Sequence, residues 1–479
     1  MRLKILVLIF SLLPVLSSAQ KGSLLSLLSD PAMAHSSVSL CILNSVNGET
    51  VFEYNPDKSL APASVLKLVT SAAALEVLGP GHTFRTTLCY TGALNRKTGR
   101  LTGNIVIKGG GDPSLGSENF RDHYCDFLNR WVTDIRNSGI KKVDGKIISD
   151  DSYFDFQPVP AKWLWEDAGN YYGAGAYGLS VFDNTYSIRF RLSEGSKPVI
   201  SGISPPECKY VIDNYLVSEG TTDNGYVFAA PYSKQGWISG KIPAGNEDFV
   251  LGASIPDPPL LLAEILTNML DSAGIAVTGK PSTTRLEKEQ INDFKVISEI
   301  LSPPLNEIIE VLNHESVNLY AEHLLKEMAK ASGGKGTTEE GIAIVKSFLL
   351  GSGVNISGLF MEDGSGLSPL DAVPARVLSE VLYSMKHKGK FFTEYYASLP
   401  EAGNEGTLKS CFRDTVFQNN LRAKSGSMTR VRSYAGYFRT LSGKEMIFSI
   451  IVNNYSGPSV KIISGIEGIL KEAIMNNQE

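Results

Sequence analysis

The chain has 479 residues, a formal net charge of −5 and 43% hydrophobic residues. That length exceeds one simple domain and is ample for a buried core. The mild acidity, with no basic patch interleaved with aromatics, argues against a nucleic-acid surface. Five scattered cysteines, Cys41, Cys89, Cys125, Cys208 and Cys411, lack metal-ligand spacing. Their odd number leaves at least one unpaired; most read as small buried hydrophobes, with one disulfide left open.

At the N-terminus, Met1-Arg-Leu-Lys4 is a short positive region, Ile5 to Leu16 is apolar, and Ser17-Ser-Ala19 offers small residues for cleavage. This pattern predicts a secretory signal peptide over residues 1–19. No cysteine follows to carry a lipid, and no later run reaches the ~18 apolar residues of a membrane span. A secreted chain working in the periplasm or cell-wall space, without a transmembrane anchor, is the expectation.

Ser37 to Leu43 and Thr50 to Tyr54 flank Asn47-Gly48, a hairpin signal. A helix then runs to Leu78, stopped by Gly79-Pro-Gly81. It contains Ser64-Val-Leu-Lys67, and between Val65 and Leu78 only Lys67 and Glu76 are charged. A helix apolar on every side is a buried one. Lys67 therefore has no wet face to occupy, and burial lowers the pKa of an ammonium. A lysine near neutrality one turn from a hydroxyl can serve as general base for a serine nucleophile. The bland alternative is an N-cap serine followed by a lysine that snorkels to solvent.

From Thr83 to Ser282 the texture changes to short β-like runs: Arg85 to Tyr90, Gly103 to Lys108, Lys146 to Ser149, Tyr186 to Leu192 and Phe249 to Ala253. Pro256 to Ile275 reads as a helix. Leu305 to Leu312 and Leu319 to Ser332 read as two amphipathic helices joined across Ser316-Val-Asn318, and further helices are expected at Thr338 to Gly351 and Pro374 to His387. Strands return at Asn420 to Lys424, Ser433 to Thr440 and Glu445 to Asn453, before a last helix from Ser459 to Met475. The simplest architecture is an α+β domain built from both chain ends, the N-terminal hairpin completing a mainly C-terminal sheet.

Three motifs now stand in order: Ser64-x-x-Lys67, Ser316-x-Asn318 and Lys424-Ser-Gly426. Each is weak alone; as an ordered set they match the pattern of β-lactamases and penicillin-binding proteins. Longer stretches add to this: Gly109-Gly-Gly-Asp-Pro-Ser-Leu115, Trp163 to Gly175, Ser316 to Glu322, Asp363-Gly-Ser-Gly-Leu-Ser368 and Leu399 to Leu408. On these residues the chain resembles the class C low-molecular-mass penicillin-binding proteins, D-alanyl-D-alanine carboxypeptidase/endopeptidases.

The resemblance implies a penicillin-binding-protein/β-lactamase-like transpeptidase domain, an antiparallel sheet with helices on both sides. That catalytic domain would be discontinuous, 20–82 and 283–479, around an inserted β-rich region at 83–282 with two nested subdomains. It further implies Ser64 as nucleophile, Lys67 as base, and Ser316 relaying a proton with help from Lys424. Asn318 would hold the substrate amide and orient Lys67. Lys424 and Ser425 would meet the substrate carboxylate, Gly426 would belong to the substrate-binding stretch, and the N–H groups of Ser64 and Ser427 would form an oxyanion hole. Substrates would be peptidoglycan stem peptides or their cross-links, β-lactams would be covalent inhibitors, and no metal or cofactor is implied. Asp167 and Tyr172 would contact the peptide side chain.

Two departures from the family pattern stand out. Ser425 occupies a usual threonine position and keeps the hydroxyl. Pro369 occupies the position of an arginine that binds the free end of a diaminopimelate side chain, and proline cannot bind a carboxylate. A β-lactamase and a catalytically silent wall-binding protein on the same scaffold are the rival readings. A Ser-His-Asp hydrolase lacks a Gly-x-Ser-x-Gly elbow, and Glu322-His323 lacks paired zinc-ligand spacing.

Overall fold

The computed structural model describes residues 21–192, 197–245 and 248–475. The expected signal peptide lies outside these residues. Among the described residues, no helix is long and apolar enough to cross a membrane.

The central sheet has five antiparallel strands in the order Arg422–Met428, Val431–Arg439, Glu445–Asn453, Ser37–Asn44, Thr50–Tyr54. The N-terminal hairpin thus completes a C-terminal sheet, as its sequence predicts. Successive side chains of a strand point to opposite faces, and here both faces are covered. Cys41, Leu43, Ile447 and Ile451 pack into one core with the helices Lys67–Leu78, Leu305–His314, Asn318–Ala331 and Ala375–Lys388. Leu40, Ile42, Phe448, Ile450 and Val452 pack into a second core with the helices Lys21–Ser29 and Ser459–Met475. Strand Glu445–Asn453 is consequently apolar on both faces and buried along nearly its whole length.

The segment between the first long helix and the rest has two apolar cores of its own. One lies among the strands Arg85–Tyr90, Ile105–Lys108 and Ile147–Asp150 and the helices Phe127–Asn137 and Pro258–Ser272. The other joins two three-stranded sheets, Val199–Ser204/Thr185–Arg191/Phe249–Ser254 and Val211–Ser218/Gln235–Ile242/Asn224–Ala229. One strand beyond residue 282 joins the sheet of the inserted segment. Strand Lys295–Leu301 pairs antiparallel with Arg85–Tyr90, so the inserted segment's sheet closes only after Leu301.

The helix holding the Ser-x-x-Lys pair also differs from expectation. Residues Ala63–Leu66 form a 3-10 turn, and the α-helix begins at Lys67. In a 3-10 turn, residues i and i+3 eclipse one another, which brings Lys67 over Ser64 more directly than an α-turn would. All five cysteines carry free thiols.

Candidate active site

The turn bearing Ser64 is fastened from several sides. Asn453, at the end of a central strand, donates to Ala61 O (3.0 Å) and accepts from Ala61 N (2.8 Å). Ser433 donates to Pro62 O at 2.5 Å. Ala63 itself is left-handed, with φ 49, a conformation costing a non-glycine residue about 1 kcal/mol. Two glycines let neighbouring chain close in. A Cβ on Gly426 would lie 2.2 Å from Ser433 Oγ and 3.0 Å from Ser64 N, and one on Gly366 would lie 2.1 Å from Ala63 O.

Lys67 is fully buried. Its Nζ lies 2.8 Å from Ser64 Oγ, 2.5 Å from Asn318 Oδ1 and 3.0 Å from the Ser365 carbonyl. Burial lowers its pKa to about 7, although Asp363, Glu322 and Asp371 oppose the shift. An amine with that value is half deprotonated at neutral pH while touching a hydroxyl, the arrangement a general base needs.

Ser316 and Asn318 lie where helix Leu305–His314 hands over to helix Asn318–Ala331. Ser316 is left-handed, with φ 61. Lys424 Nζ donates to Ser316 Oγ at 2.9 Å and to the Ser425 carbonyl at 2.8 Å. Lys424 is fully buried. Its pKa is driven well below the ordinary lysine value, first by burial and then by the nearby Lys67 charge. The Glu315 charge opposes the shift. Ser425 Oγ donates to Thr407 Oγ1 at 2.7 Å, and the Ser427 side chain is exposed just beyond Gly426. Lys424 to Ser427 lie on the edge strand of the sheet, and an edge strand can accept an extended peptide.

Asn318 ties this centre to the inserted segment by donating from Nδ2 to Tyr172 O at 2.9 Å. The Tyr172 hydroxyl is hydrogen-bonded to Asp167, and burial lifts that carboxyl's pKa to about 6. Asp167 and Tyr172 thus meet each other beside the centre, and the link to Asn318 runs through the Tyr172 backbone. Pro369 is exposed, directly after Ser368, whose N–H is held by Asp363 at 2.7 Å.

The structure therefore gathers Ser64, Lys67 and Asn318 in one network and Ser316, Lys424 and Ser425 in a second, with Gly426 packed against the Ser64 N–H. Sequence reasoning missed the Ser365 carbonyl, Asp363, Thr407 and Asn453. The Asp363-Gly-Ser-Gly-Leu-Ser368 stretch was a signal for the first two, since aspartate among glycines is a loop-closing pattern. His314 lies 3.9 Å from Glu405. His323 is buried between the Gly111 carbonyl and Ser180 Oγ, at 2.9 Å from each.

The chain is 29% identical to a D-alanyl-D-alanine carboxypeptidase of Actinomadura sp. (strain R39), over 91% of this chain and 81% of that protein. It is 23% identical to D-alanyl-D-alanine carboxypeptidase DacB of Haemophilus influenzae, over 88% and 86%. Its fold superposes on the crystal structure of penicillin binding protein 4 from Haemophilus influenzae with a TM-score of 0.80 at 21% identity, covering 92% of this chain and 97% of that one. A second structure of that protein, complexed with a β-lactam, superposes at 0.75 and 20% identity, with 92% and 97% covered. Matching the family pattern over residues 20–472, the chain belongs to the D-Ala-D-Ala carboxypeptidase 3 (S13) family of serine-type hydrolases.

Proposed function

We propose that this protein is an exported D-Ala-D-Ala carboxypeptidase/endopeptidase of peptidoglycan that works through an acyl-enzyme on Ser64. The observation that carries the reading is a fully buried Lys67 with a pKa of about 7, its Nζ 2.8 Å from Ser64 Oγ. Ser64 Oγ attacks the carbonyl between two D-alanines and passes its proton to Lys67. The tetrahedral oxyanion is held by the N–H groups of Ser64 and Ser427, a kind of donor pair whose single members are worth ~3–4 kcal/mol. Ser316, bonded to Lys424, relays that proton to the leaving amine as the C–N bond breaks, which leaves Lys67 neutral again. The D-alanine carboxylate sits at Lys424 and Ser425, and its charge favours the protonated form of Lys424. Water then splits the Ser64 ester, its hydroxyl joining the acyl carbon and its proton passing by way of Lys67 to Oγ.

The same acylation cuts a terminal D-alanine or a cross-link, according to what occupies the leaving-group side. Asp167 and Tyr172 contact the stem-peptide side chain in this reading. Pro369 offers no partner to a free carboxylate there, so a preference for stem peptides without that group is expected. The pairing of Lys295–Leu301 with Arg85–Tyr90 supports domain boundaries of 21–82 with 302–475 for the catalytic part and 83–301 for the insert.

Mass spectrometry after benzylpenicillin treatment tests the mechanism, with a stable adduct on Ser64 as the expected result and its absence the refutation. Rapid nitrocefin turnover without adduct would favour a β-lactamase. Mass analysis of products from cross-linked peptidoglycan separates carboxypeptidase from endopeptidase action. Fractionation of cells for a chain lacking residues 1–19 tests export.

A further inference from the structure

Of the three groups around Lys67 Nζ, the Ser365 carbonyl comes from a loop outside the three motifs. A neutral amine has two hydrogens and one lone pair. A backbone carbonyl can only accept, and Asn318 Oδ1 can only accept. With Asn318 Oδ1 at 2.5 Å and Ser365 O at 3.0 Å, both hydrogens are taken. The lone pair is left facing the third neighbour, Ser64 Oγ. Remove either acceptor and the amine can rotate about its Cε–Nζ bond, turning the lone pair away.

What holds the Ser365 carbonyl there is mainly one carboxylate. Asp363 Oδ1 accepts from Ser365 N at 3.1 Å and Gly366 N at 2.6 Å. Its Oδ2 accepts from Ser368 N at 2.7 Å and from Trp163 Nε1 at 2.7 Å. Glu322 receives Gly364 N at 3.1 Å, and Thr70, one turn along from Lys67, donates to Gly364 O at 2.6 Å. On its far side the loop presses on the nucleophile's own turn, where only glycine fits at position 366.

We infer that Asp363 is a positioning residue for Lys67: it gathers three loop N–H groups and the Trp163 indole, so that the Ser365 carbonyl stays on Nζ and the lone pair stays on Ser64. The inference rests on the acyl-enzyme reading above. Trp163 belongs to the same inserted stretch as Asp167 and Tyr172, so the brace ties the side-chain end of the cleft to the base. Four groups that titrate face Lys67: Asp363 and Asp371 from this loop, Glu322 from helix Asn318–Ala331, and Lys424 from the edge strand. Burial and the Asp363 charge push Glu322 and Asp371 upward. Asp363 is then the anion that most supports a proton on Lys67.

The test is the rate of acylation by a fluorescent penicillin, followed from about pH 5 to about pH 9, for the wild type, Trp163→Phe and Asp363→Asn. Trp163→Phe keeps the charge and deletes one donor, so its high-pH plateau should fall about tenfold with the rising limb in place. Asp363→Asn should lower the plateau by about tenfold to a hundredfold. It should also move the rising limb to lower pH, because protonated Lys67 loses its main support. A purely structural role would lower the melting temperature alone. Plateau rates equal to wild type in the folded variants overturn the inference, and where Asp363→Asn does not fold, Trp163→Phe decides. An unacylated wild type overturns the acyl-enzyme reading, and this inference with it.

Discussion

Replacing Lys67 by methionine should make the protein more stable while abolishing acylation. Holding this lysine at about 7 in the fold, against 10.5 for the ordinary side chain, costs the folded state about 5 kcal/mol at neutral pH. Methionine is of similar length and carries no charge to desolvate. The substitution strands Asn318 Oδ1 and Ser365 O, each at about 1–2 kcal/mol. The net expectation is a gain of about 1–3 kcal/mol at pH 7.

The sign with pH follows from proton counting. Between about 7 and 10.5 the unfolded chain holds a proton on Lys67 that the folded chain does not, so wild-type stability rises with pH through that window. Below it both states are protonated and the penalty is present in full. Above it both are neutral and the penalty is gone. Guanidinium unfolding of both proteins at several pH values therefore has a defined pattern. The advantage of Lys67→Met should shrink by about 1.4 kcal/mol per pH unit above neutrality and change sign before pH ~10. A stability difference that is flat across this window would refute the reasoning, because it would mean Lys67 keeps its proton in the fold.

Gly426→Ala should lower Ser64 acylation by about a hundredfold, since the new Cβ lies 2.2 Å from Ser433 Oγ and 2.7 Å from Pro62 O and must push the edge strand off the Ser64 turn. Overpacking of this kind also costs about 1–3 kcal/mol, readable as a lower unfolding midpoint. Asn453→Ala removes both bonds to Ala61 and should destabilise the protein by about 1–3 kcal/mol, with acylation of the folded fraction slowed as well.

The sequence was most readable where residue type and position conflict. Lys67 was conspicuous because an ammonium stood in an otherwise apolar helix, and Gly426 because a glycine interrupted a strand. Strands such as Glu445–Asn453 and helices such as Thr338–Gly351 were legible to the residue because their patterns are long and cleanly bounded. Strand Lys295–Leu301 was not, since it is half-exposed and its partner, Arg85–Tyr90, lies some two hundred positions earlier. Helix Phe127–Asn137 was legible in principle: Phe127, Trp131 and Ile135 recur every four residues and are buried. The Ser365 contribution had no side-chain signature, because a carbonyl group belongs to every residue and only the loop's closure aims this one. The left-handed Ala63 and Ser316 were hidden for the same reason, neither being a residue type that announces positive φ.

The order of strands has a consequence for synthesis. Ser37–Asn44 is made early yet lies between the last strand and its own hairpin partner. The anchor of the Ser64 turn, Asn453, is made 392 positions after Ala61. A growing chain therefore carries the Ser-Lys pair for most of its elongation without the sheet that anchors it. Contacts this distant form slowly, and the Ser64 turn gains its Asn453 anchor only late in the making of the chain.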